Sequence, residues 1–99
     1  MIRGTTPTIR FDLPIDVELV DCMYLTLAQN GKTVIERCLT DCSCDVRRVS
    51  CKLTQSETLA LMAATETQMQ VRLKTKGGDA LASQITTVRV DRILKDGEI

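Results

Sequence analysis

The stretch Cys22-Met-Tyr-Leu-Thr-Leu-Ala-Gln-Asn30-Gly31-Lys-Thr-Val-Ile-Glu-Arg-Cys38 sets two apolar-rich runs on either side of Asn-Gly. A type I′ turn needs positive φ at both central residues, and Asn-Gly adopts it readily, so the stretch reads as a β-hairpin. With Asn30 and Gly31 as the loop, Leu27 faces Val34 and Met23 faces Cys38, while Tyr24 and Thr26 share the other face with Arg37 and Ile35. Leu25 then falls opposite Glu36, the weak pair of this register. A hairpin alone is marginal in water, so a second layer must cover it.

The flanking sequence supplies that layer. Residues 8–13 alternate, with Ile9, Phe11 and Leu13 on one face and Thr8, Arg10 and Asp12 on the other, which predicts a half-buried strand ended by Pro14. Residues 15–21 read as a loop with inward apolar residues, and the polar segment 39–48 reads as turns. Val49, Cys51 and Leu53 alternate with Ser50 and Lys52, giving a fourth strand. Thr54-Gln-Ser-Glu57 fits a capping box and predicts a short helix from about Gln55, with Leu59 and Met62 pointing inward.

Residues 68–74 alternate again, with Met69, Val71 and Leu73 inward, and Gly77-Gly78 marks a second hairpin turn. Leu81, Ser83 and Ile85 hold one parity and Val88 and Val90 the other, so a β-bulge is expected near Thr86-Thr87. The expected architecture is all-β: an antiparallel immunoglobulin-like β-sandwich of six to seven strands with one short connecting helix. Residues 1–99 form a single domain in this reading, with 1–7 an extended N-terminal arm and 95–99 a C-terminal tail. Leu25, Leu27, Val71 and Leu73 are its expected core.

Composition narrows the function. Thirteen basic and thirteen acidic residues cancel, which removes the usual electrostatic case for nucleic acid or an anionic membrane. No apolar run is long enough to span a bilayer and the N-terminus lacks a signal-peptide core, so synthesis in the cytoplasm is expected. There is no His, which rules out a Ser-His-Asp triad and the usual base for a nucleophilic Cys. Asp16, Glu18, Asp21, Asp41 and Asp45 show no spacing that singles out a catalytic pair, and read as solvated loop charges. Arg72, Lys74 and Lys76 form an outward basic row that would also protect an edge strand from self-pairing. No enzyme activity, catalytic residue, metal or cofactor is expected.

The five cysteines, Cys22, Cys38, Cys42, Cys44 and Cys51, invite a metal or disulfide reading. Paired Cys-x2-Cys knuckles are missing, which argues against zinc. The count is odd and cytosolic thiols stay reduced, so Cys38 and Cys51 read as small apolar residues on strands, and Cys42 and Cys44 as loop thiols open to oxidation.

Five phrases carry a resemblance: Met1-Ile-Arg-Gly-Thr-Thr-Pro-Thr8, Ala28-Gln-Asn-Gly31, Leu53-Thr-Gln-Ser-Glu-Thr-Leu59, Asp79-Ala-Leu-Ala-Ser83 and Arg92-Ile-Leu-Lys-Asp-Gly97. Through them the chain resembles small proteins of phage and prophage structural-gene regions. In its order of strand, Asn-Gly hairpin and Leu-Thr-x-x-x-Thr it is also similar to the immunoglobulin-like N-terminal domains of phage baseplate upper proteins. It departs from both in the cysteine-rich segment 38–51. The resemblance implies a non-enzymatic virion structural or accessory module that assembles through self-association or other virion proteins, with strand addition by its polar arms as one route. The alternative is a small phage-encoded inhibitor of a host protein.

Overall fold

A computed structural model describes residues 1–99. Eight strands form two antiparallel sheets: β1 (Thr8–Asp12), β2 (Val20–Gln29), β3 (Lys32–Cys38), β4 (Ser43–Asp45), β5 (Arg48–Lys52), β6 (Glu66–Thr75), β7 (Ala80–Ala82) and β8 (Thr86–Arg89). One helix, α1 (Gln55–Leu59), connects β5 to β6. The first sheet has the order β1-β5-β4 and the second β3-β2-β6-β7, with β8 also paired to β6. In the lettering of immunoglobulin-like sandwiches these are B-E-D and C′-C-F-G, with β7 and β8 sharing position G. The two-sheet antiparallel architecture is the one expected from the alternation of the sequence.

The hairpin forms at Asn30 and Gly31, whose φ values are 52° and 74°. Its register departs from the expected one. Gln29 pairs with Lys32 and Ala28 with Thr33, but a bulge at Val34 then sets Leu27 opposite Ile35 and Leu25 opposite Arg37. The extra residue flips the remainder of β3, so Ile35 enters the core at 2% exposure and Glu36 turns to solvent. The bulge replaces the expected Leu25–Glu36 pair by Leu25–Arg37 and gives Leu27 an apolar partner in Ile35.

Met23, Leu25 and Leu27 from β2 meet Val49 and Cys51 from β5 between the sheets, all five without solvent exposure. On β6, Leu73 is buried but Val71 and Met69 are half-buried, so Val71 is a weaker core member than its alternation suggests. Residues 15–21 contain a single 3-10 turn at Val17–Leu19, and β2 begins at Val20. The capping box is present: Thr54 Oγ1 accepts from Glu57 N at 3.1 Å, and Glu57 Oε1 accepts from Thr54 N at 2.9 Å. The helix stops after Leu59, which breaks its periodicity: Leu61 takes the inward place at 1% exposure while Met62 is 51% exposed.

The final strand is split by a one-residue shift, as its parity change requires. The break falls at residues 83–85 rather than at Thr86-Thr87, and Ser83 Oγ accepts from Val71 N at 3.0 Å in place of a ladder bond. Strand count exceeds the expected six to seven because of this split and because β4 lies in the segment read as turns. Gln29, 2% exposed, is tied by its side chain to Met62 N, Met62 O and Thr67 Oγ1 at 2.8, 3.0 and 2.9 Å. These bonds join the end of β2 to the entry of β6.

The N-terminal residues are not a free arm. Arg3 N donates to Asp91 O at 3.0 Å, Asp91 N donates to Met1 O at 2.8 Å, and Ile2 bridges Asp91 in parallel. Arg3 also donates to the carbonyls of Leu59 and Leu61, both at 2.8 Å, satisfying the end of α1. Gly4 turns the segment at φ +71°, where a Cβ would lie 3.0 Å from Ile93 Cδ1. At the other end Ile99 N and O both bond the Gln55 amide, at 2.9 and 3.1 Å, while the Leu94 and Ile99 side chains stay exposed.

Candidate functional site

In an A-B-E-D sheet a further strand flanks B, and here that place beside β1 is empty. Residues 1–3, which could have filled it, are engaged with Asp91 instead. Backbone direction follows from two bonds to the β5 side: Leu13 N donates to Arg47 O at 2.7 Å, and Pro7 O accepts from Leu53 N at 2.9 Å. Odd-numbered groups of β1 therefore face β5, and alternation turns the N–H and C=O groups of Thr8, Arg10 and Asp12 toward the open edge.

Beside that edge the two sheets part. A cleft of about 360 Å³ opens between β1 and the β6–β7 margin, lined by Ile9, Phe11, Leu13, Val71, Leu73 and Leu81 among others. Phe11 is half-buried and Leu81 is 40% exposed. The result is an unpaired strand edge joined to an apolar slot, the two features that strand addition uses: backbone bonds for affinity, alternate side chains for specificity.

The other edges differ. β3 carries the Val34 bulge, with Lys32 and Glu36 facing solvent, and β4 and β7 have three residues each. Bulges, charges and shortness all protect an edge from foreign pairing. β1 is longer than β4, β7 and β8 and, unlike β3, regular, since Pro7 and Pro14 bound it without entering it. Its charges, Arg10 and Asp12, are opposite in sign, so they do not repel a strand that matches them. The basic row Arg72, Lys74 and Lys76 protects no edge, because β6 is paired on both sides by β2 and by β7 and β8.

Charges around the edge are arranged on its solvent face. Asp12 Oδ1 accepts from Arg48 Nε at 3.0 Å, and this bond raises the Arg48 pKa further. Arg10 is exposed and has no acidic partner among the ion pairs of the chain, which include Asp16 with Arg47 at 2.7 Å. Asp41 is held below the usual carboxylate range because the Cys38 thiol and backbone N–H donate to it.

Of the cysteines, Cys42 and Cys51 are joined in a disulfide, against the expectation of free thiols. The β4–β5 register explains it. Ser43 pairs with Ser50, so the next pair outward is Cys42 and Cys51, with a Cα separation of 4.6 Å. Cys44 stands exposed on β4 rather than in a loop, and Cys22 and Cys38 are half-buried free thiols. No three His, Cys, Asp or Glu side chains converge as a metal-binding group.

Arg37, on β3, links its sheet to α1 through Glu57 and to the end of β5 through Lys52. The Arg37 guanidinium donates through Nε and Nη2 to the two Glu57 carboxylate oxygens, the first at 2.8 Å, and through Nη2 to Lys52 O at 3.0 Å. This fork holds the Glu57 pKa below its ordinary value and raises that of Arg37. A carboxylate with a depressed folded-state pKa stabilises above its unfolded pKa, and that contribution is lost as pH falls through the folded one. Glu57→Gln is therefore expected to lower stability at pH 7 by about 1–2 kcal/mol. The gap to wild type should narrow as pH drops below about 4.5, followed by urea midpoints across pH 7 to 3.

No protein-family model and no curated protein matches the chain. Among solved structures it is similar to the V domain of amphioxus IgVJ-C2, at 14% identity over 94% of this chain and 97% of that one, with a TM-score of 0.38. No helix is long and apolar enough to cross a membrane.

Proposed function

We propose that this chain is a non-enzymatic, phage-derived structural or accessory module that works by protein–protein assembly. The observation that carries the reading is the open β1 edge beside its apolar cleft, an acceptor for one more strand. The docked N-terminus moves the expected site of assembly from the polar arms to β1. The balanced surface charge fits contact with protein rather than polyanions, and the resemblance to phage structural-region proteins points to the particle as the setting. Quantitative mass spectrometry of purified particles, induced from a host that carries the gene, tests it. A fixed copy number per particle is the expected result. Absence from particles, with the chain free in the lysate, would overturn the reading and leave the host-protein inhibitor.

A further inference from the structure

We infer that the strand accepted at β1 is β1 of a second copy, so that the chain forms a two-fold dimer through a continuous six-stranded sheet. This rests on β1 being an acceptor edge, and it names the partner. A two-fold axis perpendicular to the sheet pairs residues on the same face, so only even offsets about the axis are allowed. Edge-directed backbone groups belong to Thr8, Arg10 and Asp12, and these must exchange the bonds.

Charge then favours one register, the only one that sets Arg10 opposite Asp12. An axis through Arg10 would set Arg10 against Arg10 of the second copy, and an axis through Asp12 would set two carboxylates together. An axis through Phe11 sets Arg10 opposite Asp12 twice, satisfying the one β1 cation that lacks an acidic partner. In this register Arg10 and Asp12 are the hydrogen-bonded pairs, which is the parity the backbone offers. On the inner face Phe11 meets Phe11, and Ile9 meets Leu13. The second copy's apolar face thereby lies along the cleft, where the missing flanking strand would stand. Pro7 and Pro14 limit the pairing to the segment between them.

Light scattering and sedimentation of the full chain, at about 100 μM, provide the test, with circular dichroism to confirm that each variant folds. Wild type is expected as a dimer. Arg10→Asp and Asp12→Arg should each weaken association roughly a hundredfold, two like-charged pairs at about tenfold each. An equimolar mixture of the two variants should recover the dimer, because their charges complement at both pairs. Arg10→Asp combined with Asp12→Arg in one chain should recover it too. A monomeric wild type, or a dimer indifferent to these reversals, would overturn the inference. If particles hold the chain at fixed copy number while it is monomeric in solution, the dimer fails and the module stands. If the chain dimerises as described but is absent from particles, the dimer stands and the module fails.

Discussion

Leu27→Ala should lower the free energy of unfolding by about 3–5 kcal/mol, the upper part of the range for buried leucine truncation. Leu27 has no solvent exposure and sits opposite Ile35 on β3 and Met69 on β6, so the vacated volume is enclosed by both neighbours and by the opposing sheet. Relaxation into such a space is limited. Leu25 is equally unexposed but borders the cleft, so its truncation opens to an existing hollow and should cost less than Leu27→Ala. Val71→Ala, on the cleft wall, should cost less again. Urea unfolding of the three variants gives the order, and equal losses would show that the cleft is closed in solution. Against a total stability of about 5–15 kcal/mol for a domain of this size, Leu27→Ala brings the chain close to unfolding.

Removal of the Cys42–Cys51 bond is expected to cost about 2.5 kcal/mol, the chain-entropy value for so short a loop. Cys42→Ala is the suitable variant, because it leaves the unexposed Cys51 in place as a small apolar group and creates no buried hydroxyl. Wild type in reducing buffer should match Cys42→Ala in urea midpoint, and the oxidised protein should exceed both. Coincidence of all three would show that the bond adds nothing to the native state. The Ser43–Ser50 ladder pair remains in every case, so the hairpin of β4 and β5 should persist after reduction.

Period-two alternation reveals the long strands because each has one buried face. β1, β2, β5 and β6 are legible for that reason, as are the turn at Asn30-Gly31 and the Thr54–Glu57 capping box, which depend on local chemistry. What escapes is set by pairing between distant segments. The Val34 bulge arises because Ile35 gains burial, a tertiary reward invisible in the hairpin itself. β4 escapes because all three of its residues are exposed, and because its turn places Val46 at φ 45°, a conformation that β-branched residues rarely adopt. Without β4, nothing in the sequence sets Cys42 opposite Cys51. The open edge of β1 is an absence in the sheet order. Alternation in residues 8–13 marks a strand with one apolar face, but only the docking of residues 1–3 elsewhere shows that one side of it stays open.

The pairing of β2 with both neighbours also joins two closures of unequal entropic cost. Its partner β3 follows after two residues, whereas Leu25 and Val71 lie about 45 residues apart along the chain, so closing the β2–β6 ladder carries the larger entropy. Hairpin closure takes microseconds, and sandwich topologies fold in milliseconds to seconds. The Gln29 amide, bonded to Met62 and Thr67, fastens the place where the long loop closes. The larger entropic cost of closure therefore falls on the meeting of β2 with β6, and the β2–β3 hairpin, marginal by itself, gains its cover only when that distant ladder closes.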